Sequence, residues 1–421
     1  MAQLSQDCFA SGAQILSVDD AVAAITARFT TLDGVETVPL PDADGRVLAE
    51  DLVATLQLPP FTNSAVDGYA VRAEDVPEAS EAPRLFRVAG RVQAGAAAAA
   101  RPVAPGEAIR IFTGAPMPEG VDTVFMQEDA RLDDAGRVLL PAGLKRGANV
   151  RPAGEDIAVG TVIVPANRWL RPQDVSLAAA MGLTEIRVRR RVKVALFSNG
   201  DEIAEPGTIR RGTQVFDSNR IMLIAMLRRI GCVVSDLGIR RDDSPQIAAV
   251  LKDAAQANDL ILSSGGVSTG EGDYVKAAVE SAGTLVFWRI AMKPGRPVAM
   301  GVIDGIPFIG LPGNPVASFV TFAKVARPAI FALAGAQWSA PPPVPVRAQF
   351  AYRKKPARRE YVRVYLRKAA DGTVEALKFP REGAGLLSSL VDTDGVLELG
   401  EDVTRIEPGQ MVDCFTYASL L

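Results

Sequence analysis

The sequence predicts a multidomain chain, α/β plus all-β, and three observations carry that prediction. From Val192 onward, short apolar runs alternate with helical patterns, the signature of a parallel-rich sheet with helical crossovers. From about Val38 to Val150, and again beyond the stiff stretch Ala340-Pro341-Pro342-Pro343-Val344-Pro345, the pattern changes to short alternating runs broken by Gly and Pro, as in β-rich domains. A length of 421 residues also exceeds what one ordinary core serves. The expected division is a discontinuous helical linker domain over 1–54 and 156–187, an inserted β domain over 55–155, a central α/β domain over 188–338 and a small C-terminal β domain over 339–421.

Composition narrows the chemistry. The formal net charge is −3 and the basic residues are dispersed, so no nucleic-acid surface is expected. Cys8, Cys232 and Cys414 lie far apart without metal-type spacing, which suits a reducing compartment; the cytoplasm is the expected location. No basic segment followed by an apolar core opens the chain, and Lys324 and Arg327 interrupt the most apolar later region, so no membrane span is expected. The chain contains no histidine. That excludes a Ser-His-Asp triad, a Cys-His pair and a histidine-ligated metal, leaving proton transfer to carboxylates, lysine, tyrosine or water, and any metal to hard oxygen ligands.

Element by element, Ser17 with Asp20 resembles a helix cap, with Val22, Ile25 and Phe29 on one face of the helix that follows. Inside the β region, Pro59 to Ala70 forms a stiff loop carrying Asp67, and Thr113-Gly114 follows the strand Ile109 to Phe112. Either a site or a structural turn accounts for these. Asn149 to Asp156 crowds Arg151 and Asp156 into a turn, and Gln173 to Met181 reads as a helix stopped by Gly182. Val192 to Phe197 is a strand leading to Ser198-Asn199-Gly200-Asp201-Glu202. Ser218 is read as the cap of a helix packed through Leu223, Met226, Leu227 and Ile230, and Ser244-Pro245 opens another through Ile247 and Leu251.

Leu260-Ile261-Leu262 then leads into the glycine-rich loop Ser263 to Tyr274. Its spacing fits neither the dinucleotide fingerprint nor the nucleotide P-loop, so bared N–H groups offer either an anion seat or a tight turn. Ligands of such sheets gather beyond the carboxyl ends of the strands, so Glu202, Asp242 or Asp243, and Asp273 are expected on one rim, with magnesium as the fitting ion. Arg289 to Pro297 adds the cations Arg289, Lys293 and Arg296, and Leu311-Pro312-Gly313-Asn314-Pro315 is another stiffened loop. Hairpin punctuation is expected at Asp371-Gly372 and Asp394-Gly395.

Seven of these motifs, in order, resemble the molybdopterin molybdenumtransferases, the MoeA family that includes the C-terminal domain of gephyrin. They are PPFTNSAVDGYA at 59–70, RIFTGAPMP at 110–118, RPAGEDI at 151–157, FSNGDEI at 197–203, SGGVSTGEGDY at 264–274, MKPGRP at 292–297 and GLPGNPVAS at 310–318. The resemblance covers nearly the whole chain and implies a central α/β molybdopterin-binding domain and a C-terminal small β-barrel. It implies insertion of molybdate into adenylylated molybdopterin with release of AMP, dependence on Mg2+, and a homodimer in which Asp67 and Thr113 of one subunit complete the site on the α/β domain of the other.

The same resemblance implies Asp67, Thr113, Asp156, Glu202, Asp242, Asp273 and Lys293 as catalytic candidates, with Glu202 and Asp273 as favoured magnesium ligands. It implies Arg151, Gly265, Gly266, Ser268, Arg289, Arg296, Pro312, Pro315 and Arg363 as substrate contacts. Thr62, Val66 and Asn199 depart from the usual pattern, Arg289 and Arg296 stand where lysine is frequent, and Ala384 stands where the family often has serine. Two other readings are a related molybdopterin adenylyltransferase, similar over 190–330, and a non-catalytic gephyrin-like scaffold.

Overall fold

The computed structural model describes residues 15–27, 29–96, 101–267 and 274–421. The chain divides into two compact units, one of residues 1–50, 166–175 and 185–421, the other of 51–165 and 176–184.

The first unit is built on a six-stranded sheet in the order Val233–Arg240, Lys193–Asn199, Leu260–Ser264, Ile306–Leu311, Pro297–Ile303, Gly283–Arg289. The first four strands run parallel and the last two antiparallel, an edge hairpin on a parallel core. Side chains alternate between its faces as the pleat requires. Val194, Leu196, Leu260 and Leu262 pack with Leu223 and Leu227 of the helix Ser218–Arg229 on one face. Ala195, Phe197, Ile261 and Phe308 pack on the other with Ile247 and Leu251 of Ser244–Ala257 and Val275 of Tyr274–Ala282. After Lys193–Asn199 the chain moves to one side of that strand and then returns to the other. The carboxyl ends of Lys193–Asn199 and Leu260–Ser264 therefore form the topological switch point, where crevices open in such sheets.

A closed barrel follows. Arg359–Lys368 pairs with Val374–Lys378, which pairs with Val344–Ala348, then Met411–Thr416, then Gly395–Leu399, and the last strand pairs back onto Arg359–Lys368. Val346, Val364, Ala376, Leu397 and Cys414 fill it. The short strand Met292–Lys293 of the α/β region adds in parallel to the barrel, setting Lys293 opposite Glu360.

Several local expectations are corrected. Asp217, not Ser218, caps the helix Ser218–Arg229, its carboxylate accepting from the Arg220 N–H, because Asp217 is the residue just outside the helix and Ser218 is already its first residue. Asp394-Gly395 is not a hairpin turn. Gly395 opens a strand so close to its neighbour that a Cβ would lie 2.4 Å from the Phe415 carbonyl oxygen. Ser17 does cap the first helix, Val18–Thr26, but the buried face is Val18, Ala21 and Ile25, and Phe29 lies beyond its end. The helical run Pro315–Leu333 is long and apolar enough to cross a membrane, contrary to the expectation from Lys324 and Arg327, yet most of it is buried in the α/β core. Lys324 pairs with Glu398 at 2.6 Å, and Arg327 donates to the Ser419 carbonyl.

The second unit carries a six-stranded sheet in the order Thr123–Met126, Gly68–Val71, Glu107–Ile111, Arg84–Val92, Arg137–Leu140, Arg131–Leu132. Tyr69, Val71 and Phe86 fill one side, Ala70, Ile109 and Ile111 the other.

Candidate functional site

The glycine-rich loop begins where the Leu260–Ser264 ladder ends. Gly265 and Gly266 have φ of +87° and +68°, and neither tolerates a side chain. A Cβ on Gly265 would lie 2.7 Å from the Asn199 carbonyl oxygen, and one on Gly266 would lie 2.3 Å from Val275 Cγ2 and 2.4 Å from Asn199 Oδ1. The bend is thus packed against the neighbouring strand end, leaving its outer side for a ligand. Asn199 fastens the next boundary, its Nδ2 donating to the carbonyls of Arg240 and Arg241.

These loops border a cavity of about 600 Å³ lined by Ser198, Asn199, Glu202, Asn219, Gly265, Gly266 and the loop Pro312 to Pro315. A second cavity, of about 750 Å³, shares Pro297, Pro312 and Asn314 with the first. Its wall is cationic, with Lys293 and Arg296 from one loop and Lys355, Arg358, Arg363, Lys378 and Arg381 from the C-terminal segment, against Glu360 and Glu382. Such an excess of guanidinium and ammonium groups favours an anion.

Within it, Glu360 is 1% exposed and is partnered by two cations and a phenol hydroxyl. Its Oε2 accepts from the Tyr352 hydroxyl at 2.8 Å and lies 3.3 Å from Lys293 Nζ, and its Oε1 accepts from Arg358 Nε at 2.7 Å. Arg363 lies on the strand Arg359–Lys368. It is buried, donating to the Gly383 carbonyl and to Ser389 Oγ, and that burial lowers its pKa. Ala384 also lines this cavity and offers no side-chain hydroxyl to it.

The remaining candidates are placed as follows. Glu202, Gly265, Gly266, Pro312 and Pro315 meet in the first cavity, and Lys293, Arg296, Arg363 and Pro312 in the second. Arg289 is exposed on its strand and borders neither. Asp242 lies against Asp201, and Asp243 caps Ser244–Ala257 by accepting from the Gln246 N–H. Ser268 and Asp273 lie outside the described residues. Among the described residues, no three carboxylate or thiol side chains group as a metal site. The side-chain oxygens lining the first cavity include the carboxylates of Glu202 and Asp217 and the buried Ser198 hydroxyl, which has no hydrogen-bond partner among the described residues.

In the second unit, Asp67 Oδ1 accepts from the Thr113 N–H and from Thr113 Oγ1, both at 2.8 Å. Those two bonds, the backbone one foremost, hold the Asp67 carboxyl below its ordinary pKa. The strand pair Asn63–Ser64 and Val150–Arg151 fastens this bend to the turn carrying Arg151, and the Asp156 N–H donates to the Leu58 carbonyl. Asp67, Thr113, Arg151 and Asp156 thus belong to one group of linked loops within that unit.

The residues that sequence reasoning missed are Asn219, Tyr352, Lys355, Arg358, Glu360, Lys378 and Arg381. Only Asn219 carries a local signal, in Asp217-Ser218-Asn219 ahead of a helical pattern, and that signal reads as capping.

Comparison with known proteins gives a consistent result. Family profiles match the MoeA N-terminal region (domain I and II) over residues 16–182, a probable molybdopterin binding domain over 195–332 and the MoeA C-terminal region (domain IV) over 345–416. The chain is 34% identical over 412 residues to a molybdopterin molybdenumtransferase of Haemophilus influenzae, covering 97% of this chain and 100% of that protein. It is 37% identical over 380 residues to molybdopterin molybdenumtransferase 2 of Mycobacterium tuberculosis, covering 89% and 93%. The crystal structure of a molybdopterin biosynthesis MoeA protein from Pyrococcus horikoshii matches with a TM-score of 0.80 at 29% identity, covering 96% of this chain and 100% of that one.

Proposed function

Because the chain belongs to the MoeA family of molybdopterin molybdenumtransferases, transferases of molybdenum cofactor biosynthesis, we propose that it inserts molybdate into adenylylated molybdopterin and releases AMP. The observation that carries this reading is the pair of cavities meeting at Pro297, Pro312 and Asn314. The glycine-backed cavity suits the phosphate and pterin of the nucleotide substrate, through the backbone donor at Gly266, the Gly265 N–H being spent on the Leu311 carbonyl. The cationic cavity suits molybdate, a compact dianion, through Lys293, Arg296 and Arg363. Ligands held in adjoining cavities are already close, which lowers the entropic cost of bringing the reacting groups together.

Replacing molybdate oxygens by dithiolene sulfurs requires oxide to leave as water. Without histidine, this reading gives the proton delivery to Glu202 of the first cavity and Lys293 of the second, among the titratable groups that line them. Magnesium fits as a companion of the substrate's phosphates. Mg2+ commonly takes one or two protein carboxylates and completes its shell with phosphate and water, so Glu202 would hold it, with Asp273 as the second carboxylate of this proposal. The ion would neutralise charge on the phosphoryl group as AMP departs. The same reading takes the protein as a cytoplasmic homodimer.

The test is to incubate the purified chain with adenylylated molybdopterin, Mg2+ and molybdate. AMP and molybdenum-loaded cofactor should appear together. Persistence of the adenylylated substrate contradicts the proposal, and formation of that substrate from ATP and molybdopterin would support the adenylyltransferase reading instead.

A further inference from the structure

We infer that Asn219 is the positioning residue that sets the width of the glycine-backed cavity, an assignment that deepens the proposed molybdopterin reading and rests on it. Asn219 is the second residue of Ser218–Arg229 and is 8% exposed. Its Nδ2 donates to Ser264 Oγ at 3.0 Å and to the Gly313 carbonyl at 2.7 Å. Ser264 is the last strand residue before Gly265, and Gly313 lies in the loop that opens the helix Pro315–Thr321.

The two strands feeding these loops are hydrogen-bonded neighbours up to Ser264 opposite Leu311, and a last backbone bond joins the Gly265 N–H to the Leu311 carbonyl at 3.0 Å. Beyond it the ladder ends. The loops nonetheless stay close, since a Cβ on Gly313 would lie 3.5 Å from Gly265 Cα. Asn219 continues the connection where the backbone cannot, spending both amide hydrogens on the two loops.

The helix that delivers the amide is itself fixed. Asp217 caps it, and the buried Arg220 guanidinium joins Asp217, Glu205 and Asp236. Aspartate has the same shape but no donor, so it would turn an acceptor toward the Gly313 carbonyl. Serine has one donor where two acceptors wait.

The test uses the full chain, with KM measured separately for adenylylated molybdopterin and for molybdate. Asn219→Ala should raise KM for the adenylylated substrate about tenfold, the loss expected for bonds that hold a ligand seat in place. KM for molybdate should move less than about twofold, because no cation of that wall bonds to Asn219, whose link to the second cavity runs through the shared loop Pro312 to Asn314. Leu227→Ala, deeper in the same helix, gives the purely structural comparison, lowering the unfolding midpoint with both KM values unchanged. If Asn219→Ala does not fold, the isosteric Asn219→Asp should show the same one-sided rise, and Ser264→Ala, which removes one of the two bonds, a smaller one.

A folded Asn219 variant with wild-type KM values, or one in which both KM values rise together, overturns the assignment. An active wild type with such variants leaves the proposed function standing. A wild type that converts neither substrate overturns both.

Discussion

Asp67 shows what a single side chain contributes here. Thr113 gives it two donors, and both stabilise the ionised form, so its pKa lies below the usual carboxylate value. For a depressed carboxyl, the stabilising effect is present above the unfolded-state pKa and is lost as pH falls through the folded-state value. Thr113→Val removes the hydroxyl donor and keeps the N–H, so carbon-detected NMR titration should show the Asp67 pKa rising part of the way toward normal; an unchanged value would assign the effect to the backbone alone. The thiols of Cys232 and Cys414 present the opposite case, burial pushing each up to about 12. Neither should be modified by a thiol reagent at neutral pH in the folded protein, as peptide mapping would reveal, while unfolding should expose both. At Gly266, alanine would place a methyl group against Val275 and Asn199 at a positive φ, and Gly266→Ala should destabilise the fold by about 1–3 kcal/mol, measured by denaturant unfolding.

At the scale of elements, the helix Ser218–Arg229 joins stability to site geometry. Its Asp217 cap is 3% exposed and also partners the buried Arg220. Asp217→Ala therefore removes a cap and one of the carboxylates around a buried cation, and should cost about 2–3 kcal/mol in denaturant unfolding; a change within error would show that Glu205 and Asp236 suffice. This helix also shows where local reading succeeds and where it stops. Its apolar face is written in Leu223, Met226, Leu227 and Ile230, all buried as their spacing requires. Its cap is ambiguous between Asp217 and Ser218 because both residues are good acceptors one position apart. The glycine loop is legible because positive-φ bends call for glycine, as Gly265 and Gly266 bear out, whereas Asp394-Gly395 misleads because that glycine answers to a crowded strand rather than a turn.

Across the whole molecule, the cationic cavity depends on chain segments far apart in sequence. Lys293 reads as a cation in a stiff loop, but nothing local places it beside Arg358, Lys378 and Arg381. They meet only because Met292–Lys293 joins the barrel as an added strand opposite Glu360. Strand addition is a tertiary event, so periodicity and spacing carry no sign of it, and the oxyanion wall is half legible at best. Its charge excess has a measurable consequence. Molybdate affinity should fall steadily from low salt to about 1 M, where the Debye length is about 3 Å, and an affinity independent of salt would count against a cationic seat.

The most direct test of the adjoining-cavity account is to soak crystals with tungstate, a heavier analogue of molybdate, and locate it by anomalous scattering at the tungsten edge. The account predicts a peak in the cationic cavity within hydrogen-bonding reach of Lys293 or Arg363. A peak confined to the glycine-backed cavity, or to neither, would contradict it.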